Sequence, residues 1–219
     1  MIRLDILSDP ICPWCHIGKA NLFRALGRRP DHPLTLEWHP FQLNPDMAPG
    51  GMDRRAYLEA KFGGRDGAVR AYAPVVEAAE AAGLVIDFEG IGRTPNTLDA
   101  HRLIHWAGLE GRQTPVVQAL FEAYFEQGRD IGDHATLVEI GLGRGMDAEM
   151  LERLLTSDAD RDDIRTRDVH ARERGVTGVP TFILAGRHVV RGAQPPEMWE
   201  QIIDDLMEQL ASATPEPAP

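Results

Sequence analysis

The stretch Asp9–Gly18, DPICPWCHIG, holds the chain's only two cysteines, Cys12 and Cys15. It fits two incompatible templates. Cys-x-x-Cys at the start of a helix reads as a redox dithiol, and Cys-x-x-Cys-His reads as a c-type haem attachment site with His16 as axial ligand. The haem template needs export from the cytoplasm and a second axial ligand, and no residue is marked out for that role. Zinc needs about four ligands in a structural site. With a single cysteine pair, two distant histidines would have to join. The i, i+4 pair His101 and His105 lies in HRLIH, which lacks the glutamate of His-Glu-x-x-His. No metal is expected, and the redox dithiol is the favoured reading.

The residues around the pair suit that chemistry. Thiol–disulfide exchange needs an accessible, ionisable thiol and a second thiol that resolves the mixed disulfide. Residues three apart on a helix share a face. Cys12 at the helix N-terminus would meet unpaired backbone N–H groups and the positive end of the macrodipole, which stabilise a thiolate. Cys15, on one stripe with Leu22, Phe23 and Leu26, should be buried, protonated and resolving. Pro13 suits the first helical turn, where its missing N–H does no harm. Trp14 offers an aromatic surface beside the thiols. His16 either tunes Cys12 through its charge or faces solvent as a bystander.

Outward from this stretch, Ile2, Leu4 and Ile6 alternate with polar residues as in a strand, and Leu34, Leu36 and Trp38 do so again. From Asp53 to about Arg174 most segments carry helical spacing punctuated by Gly and Pro. Examples are Pro74–Gly83, Ala100–Leu103–Ile104–Ala107 and Val117–Leu120–Phe121–Tyr124, with Asp133 and Asp147 as N-caps. The charged run 157–175 reads as a helix with a solvated face. PTFILAG and RHVVRG form a hairpin through Gly186. A closing helix over 195–210 turns Met198, Ile202 or Ile203, and Leu206 inward. The expected division is an α/β unit over 1–48 and 172–211, a helical insertion over 49–171 and a disordered tail over 212–219.

Composition sets outer bounds. The chain has 219 residues, 43% hydrophobic and 26% charged, enough for a sizeable core. The formal net charge of −11 makes nucleic acid an unfavourable partner. No signal peptide or membrane span is evident, so a cytoplasmic location and no membrane partner are expected. Cytosolic thiols are kept reduced, which disfavours a purely structural disulfide.

A strand ending in Cys-Pro-x-Cys, the segments NTLDAHRLIHWA and LFEAYF, and a late GVTGVPTF followed by GAQ resemble the DsbA-like superfamily, especially its cytoplasmic FrnE-type branch. The resemblance spans nearly the whole chain. It implies an α/β thioredoxin fold with a large α-helical insertion and thiol:disulfide oxidoreductase activity on protein or small-molecule disulfides. It also implies a cis Val179–Pro180 bond beside the thiols, with the Val179 backbone binding the substrate chain. Asn96 and His101 would shape the substrate pocket; their bland alternatives are a helix cap and a satisfied half-buried side chain. No cofactor beyond the redox-active disulfide is implied, with glutathione possible as co-substrate, in a monomer or homodimer. The same scaffold resembles 2-hydroxychromene-2-carboxylate isomerases and kappa-class glutathione transferases, which activate glutathione with a serine in place of the first cysteine. A holdase whose thiols only sense oxidation is a third, non-enzymatic reading.

Overall fold

The computed structural model describes residues 1–213. The central strand is β1, Ile2–Ser8. It pairs in parallel with β2, Leu34–Pro40, from Ile2 opposite Leu34 to Ser8 opposite Pro40. On its other edge it pairs antiparallel with β5, Thr181–Leu184, from Leu4 opposite Leu184 to Leu7 opposite Thr181. A hairpin adds β6, His188–Arg191, giving the order β2-β1-β5-β6. Ala185 and Gly186 both take positive φ at its turn, the twist that short hairpins prefer.

Strand alternation divides the sheet into two faces. Leu4, Ile6, Phe182 and Leu184 join one apolar core with Trp199 and Ile203. That face carries α1, Pro13–Arg28, and α9, Pro196–Ala213, which pack on each other. Phe182 meets Trp199 edge-on with ring centroids 4.7 Å apart. The opposite face presents Leu7, which clusters with Phe41, Ala171 and Val176.

Between β2 and β5 run α2 (Arg54–Phe62), α3 (Arg65–Ala81), α4 (Leu98–Leu109), α5 (Gln113–Phe121), α6 (His134–Leu142), α7 (Ala148–Thr156) and α8 (Arg161–Glu173). A π-helical turn, Glu122–Glu126, extends α5. A small ribbon of β3, Met52–Asp53, and β4, Arg93–Thr94, was not visible in the sequence pattern. The apolar stripes read for α4 and α5 are buried, and Asp133 and Asp147 cap α6 and α7 by accepting from Thr136 N and Met150 N. The chain is thus α/β, a four-stranded thioredoxin-type sheet with a helical insertion.

Four local expectations change. Pro74 does not start a helix: it lies inside α3, which begins nine residues earlier at Arg65. Met198 is exposed and its neighbour Trp199 takes the inward position, because the helix register places the larger ring against Phe182. Ser212 and Ala213 belong to α9; the rest of the expected tail lies outside the described residues. The charged helix α8 is solvated on most of its surface, yet Asp168 is buried, accepting from Gln42 N at 2.9 Å and pairing with Arg172 at 3.1 Å.

Arg102 of α4 is the most buried cation. It is fully enclosed, donates to the carbonyls of Leu154, Ser157 and Ala159, pairs with Asp99 at 2.8 Å and stacks on Trp106. It therefore closes the C-terminal end of α7, whose last carbonyls have no helical partner. Arg102→Ala should cost about 3 kcal/mol or more, since it strands several buried acceptors and one carboxylate. Urea unfolding measures this; a loss under about 0.5 kcal/mol, the range of ordinary surface changes, would refute the role.

Candidate active site

The turn that follows β1 sets up the thiols. Pro10 breaks the strand, Cys12 N donates to Asp9 O at 2.9 Å, and Cys12 becomes the N-cap of α1 with Pro13 in its first turn. Cys12 O then accepts from Cys15 N and His16 N. Both thiols are free. The expected accessible nucleophile is more enclosed than the sequence implied: Cys12 is 4% exposed and Cys15 1%. The half-buried Trp14 and Val179 flank the pair.

The second wall arrives from far along the chain. The Val179–Pro180 bond is cis, and Cys12 Sγ lies 3.7 Å from Val179 O. Gly18 makes the close approach possible. A Cβ there would stand 3.0 Å from Pro180 Cγ and 3.3 Å from Ala193 Cα, tighter than side chains normally pack. Asn21 of α1 adds a tie, donating to Gln194 O at 3.0 Å. The GAQ segment thus lies against α1 next to Pro180.

Beneath the thiols is a dry polar layer. Burial, and then the hydrogen bond with Cys12, hold the Cys15 thiol well above its ordinary range; Ser8 and the Asp9 backbone act weakly the other way. Cys15 therefore keeps its proton and shares it with the Cys12 sulfur. Cys12 Sγ in turn donates to the Val179 carbonyl.

Asp9 is the residue that motif reading missed. It is fully buried, accepting from Leu43 N at 2.6 Å and Ile11 N at 3.3 Å. Burial outweighs these bonds and pushes its carboxyl up to about 7. His101 Nε2 lies 3.8 Å away with no hydrogen-bond partner, and burial brings His101 down to about 3. The pair is a neutral acid facing a neutral imidazole up to about pH 7, not a salt bridge. His101 lies in this layer behind the thiols. Asn96 ties two segments together: its Oδ1 accepts from Leu98 N at the start of α4, and its Nδ2 donates to Met47 O. The first bond is an Asx turn just ahead of Thr97, the N-cap of α4.

Neither expectation for His16 holds. It is 1% exposed and stacked against both Phe121 and Phe125 at 5.0 and 5.4 Å, with neither ring nitrogen hydrogen-bonded and Glu126 Oε1 3.6 Å from Nε2. Burial, then the charge of Lys19, lowers it to about 4. A neutral ring brings no positive charge to Cys12 at pH 7, because the aromatic residues of α5 and the π-turn close over it. On the insertion side, burial raises the Tyr72 phenol, with charge on Cys12 adding slightly to that effect, so Tyr72 lies near the site. Its hydroxyl and that of Tyr124 accept from the buried Arg54 at 3.1 and 2.9 Å.

The described residues 3–204 match the model of the DSBA-like thioredoxin domain family, and the chain belongs to that family. A solved probable DsbA oxidoreductase from Streptomyces coelicolor is 31% identical, with a TM-score of 0.82 over 100% of this chain and 94% of that one. Cytosolic disulfide reductase DsbM from Pseudomonas aeruginosa, solved with glutathione, is 22% identical at TM-score 0.65, covering 94% of this chain and 99% of that one. A 2-hydroxychromene-2-carboxylate isomerase is 18% identical at TM-score 0.73, covering 97% and 100%. The last two likenesses are of fold alone. No described helix is long and apolar enough to cross a membrane.

The buried groups set opposite pH dependences. His16 binds its proton more weakly in the folded chain, so its neutral burial costs nothing above pH 6.5 and destabilises the fold increasingly down to about 4. Asp9 holds its proton more tightly when folded, so its contribution is complete below 3.8 and is lost as pH rises to about 7. His16→Phe should therefore retain up to about 3 kcal/mol more of its neutral-pH stability at pH 4 than the parent retains. Urea unfolding from pH 4 to 7 checks this; parallel curves for parent and variant would contradict the assignment.

Proposed function

We propose that the protein is a thiol:disulfide oxidoreductase in which Cys12 is the nucleophile and Cys15 the resolving thiol. The supporting observation is the arrangement of the two sulfurs. Cys12 sits at the N-terminus of α1 against the Val179 carbonyl, and Cys15 lies one turn deeper with its proton held by burial and directed at Cys12.

In the reducing direction the Cys12 thiolate attacks one sulfur of a substrate disulfide. The substrate S–S bond breaks, a Cys12–substrate disulfide forms, and one substrate thiolate leaves. Cys15 then loses its proton and attacks the Cys12 sulfur, expelling the second substrate thiolate and closing Cys12–Cys15. Two electrons pass from the dithiol to the substrate. The oxidising direction is the reverse. Deprotonating Cys15 is the uphill step in so dry a site. Asp9, poised near neutrality in the same buried layer, is suited to take that proton, since a general base works best with a pKa near the working pH. Pro13, Trp14, Val179 and Pro180 form the substrate rim, with Asn96 and His101 supporting it from the insertion.

Glutathione suits the site as a small-thiol partner, a reading supported by the fold shared with a reductase solved with glutathione. That protein's cytosolic designation also supports a cytoplasmic setting. The isomerase reading shares the fold, but activating glutathione for isomerisation has no use for a second thiol hydrogen-bonded to the first.

Cys12→Ser should abolish disulfide exchange. Cys15→Ser should still react with a small disulfide and accumulate a stable mixed disulfide on Cys12, read by intact mass. Full turnover without Cys15, or labelling of Cys15 in place of Cys12, would overturn the roles. In Asp9→Asn, closure of the Cys12–Cys15 bond should slow by about 10²-fold or more, the usual scale of base catalysis, and lose its pH dependence near 7. Stopped-flow fluorescence measures this, and an unchanged pH profile would remove Asp9 from the step.

A further inference from the structure

One sizeable cavity lies away from the thiols. It lies on the other face of the sheet, has a volume of about 730 Å³, and is roofed by α8. Its floor is the second alternation set of the strands: Arg3, Asp5 and Leu7 of β1, Thr181 and Ile183 of β5, and Val189 and Arg191 of β6. α8 and the residues just after it add Arg167, His170 and Arg174.

The charge there runs against that of the whole molecule. The chain carries −11, yet four guanidiniums line this cavity, and Asp5 is the only carboxylate among its lining residues. Asp5 is already compensated: His39 Nε2 lies 2.7 Å from it and Arg3 Nε 3.1 Å. Arg3 also reaches Glu37 at 3.6 Å. Arg167 is occupied too, donating to the Nδ1 atoms of His39 and His105 at 3.3 and 3.1 Å, with Asp163 at 3.8 Å. With His39 Nδ1 accepting from Arg167, its Nε2 carries the proton donated to Asp5, and no lone pair is left there for a metal. Arg174 and Arg191 have no ion-pair partner among the described residues.

Two unpaired guanidiniums beside a cavity of small-molecule size form an oxyanion site, because the planar fork of arginine matches the oxygen pairs of phosphate and carboxylate. Leu7, Val176, Ile183 and Val189 make the remaining wall apolar. A bare ion would leave that surface and much of the volume unused. We infer that this cavity binds an organic oxyanion of about nucleotide size, its anionic end between Arg174 and Arg191 and its body against the apolar wall. The inference is independent of the redox reading. The two sites share β5, in which Thr181 at the cavity floor directly follows Pro180 beside Cys12.

Calorimetric titration of the full chain tests it with four probes: ATP, citrate, pyrophosphate and adenosine. ATP or citrate should bind saturably with Kd below about 1 mM at low salt. Which of the two binds tells phosphate from carboxylate recognition. Pyrophosphate should bind more weakly than the organic anion, and adenosine not measurably. The double variant Arg174→Ala/Arg191→Ala should weaken the binding about tenfold or more, since each removed guanidinium takes charge-assisted hydrogen bonds with it. Arg191→Glu, at an exposed strand position, should abolish it and covers the case in which the double variant fails to fold. Three results would overturn the inference: no saturable binding of ATP or citrate, unchanged affinity in both variants, or adenosine binding as tightly as ATP.

Discussion

The antiparallel pairing of β1 with β5 carries the site. With Leu7 opposite Thr181, the residue before Thr181 must lie beside the turn that follows β1. Pro180 therefore meets Cys12 although 167 residues separate Val179 from it. Every other feature serves that juxtaposition. The parallel pairing with β2 fixes β1 at the centre of the sheet, Gly18 lets α1 approach Pro180, and α9 clamps the face that α1 rests on. A one-residue slip in β5 would turn Phe182 away from Trp199 and Thr181 toward the core, so burial enforces the register that chemistry needs.

The second constraint is dryness. Asp9, His101, Cys15 and His16 are all buried, and each is pushed toward its neutral form. Unpartnered buried atoms are costly, and Ser8 Oγ and His101 Nε2 are among them. His101 Nε2 lies 3.8 Å from Asp9, and Ser8 acts on Cys15. Stabilising ties lie elsewhere in the insertion, as where Arg102 donates to the carbonyls at the end of α7.

Much of this was legible in the sequence. Strand alternation placed β1 and β2, Gly186 placed the hairpin, and the stripe of Cys15, Leu22 and Leu26 oriented α1. The Cys-Pro-x-Cys motif and the late Val-Pro-Thr pointed to two segments that the structure brings together. What escaped had physical causes. Asp9 reads as a turn residue beside a proline, and nothing local shows that three segments will close over its carboxylate. His16 follows two cysteines and invites an electrostatic role, but its environment comes from Phe121 and Phe125, a hundred residues away. Proline usually punctuates helices, yet Pro74 lies within α3. Arg102 and Arg174 look alike in sequence, but one is buried and bonded and the other faces a cavity.

The central claim is that Cys12 and Cys15 form one reversible two-electron couple. Equilibrating the protein in glutathione redox buffers, trapping free thiols by alkylation and weighing the products tests it directly. The account predicts a single reversible transition between a doubly alkylated and an unalkylated chain, with both cysteines changing together. A pair that never closes, or cysteines that titrate separately as glutathione adducts, would contradict it.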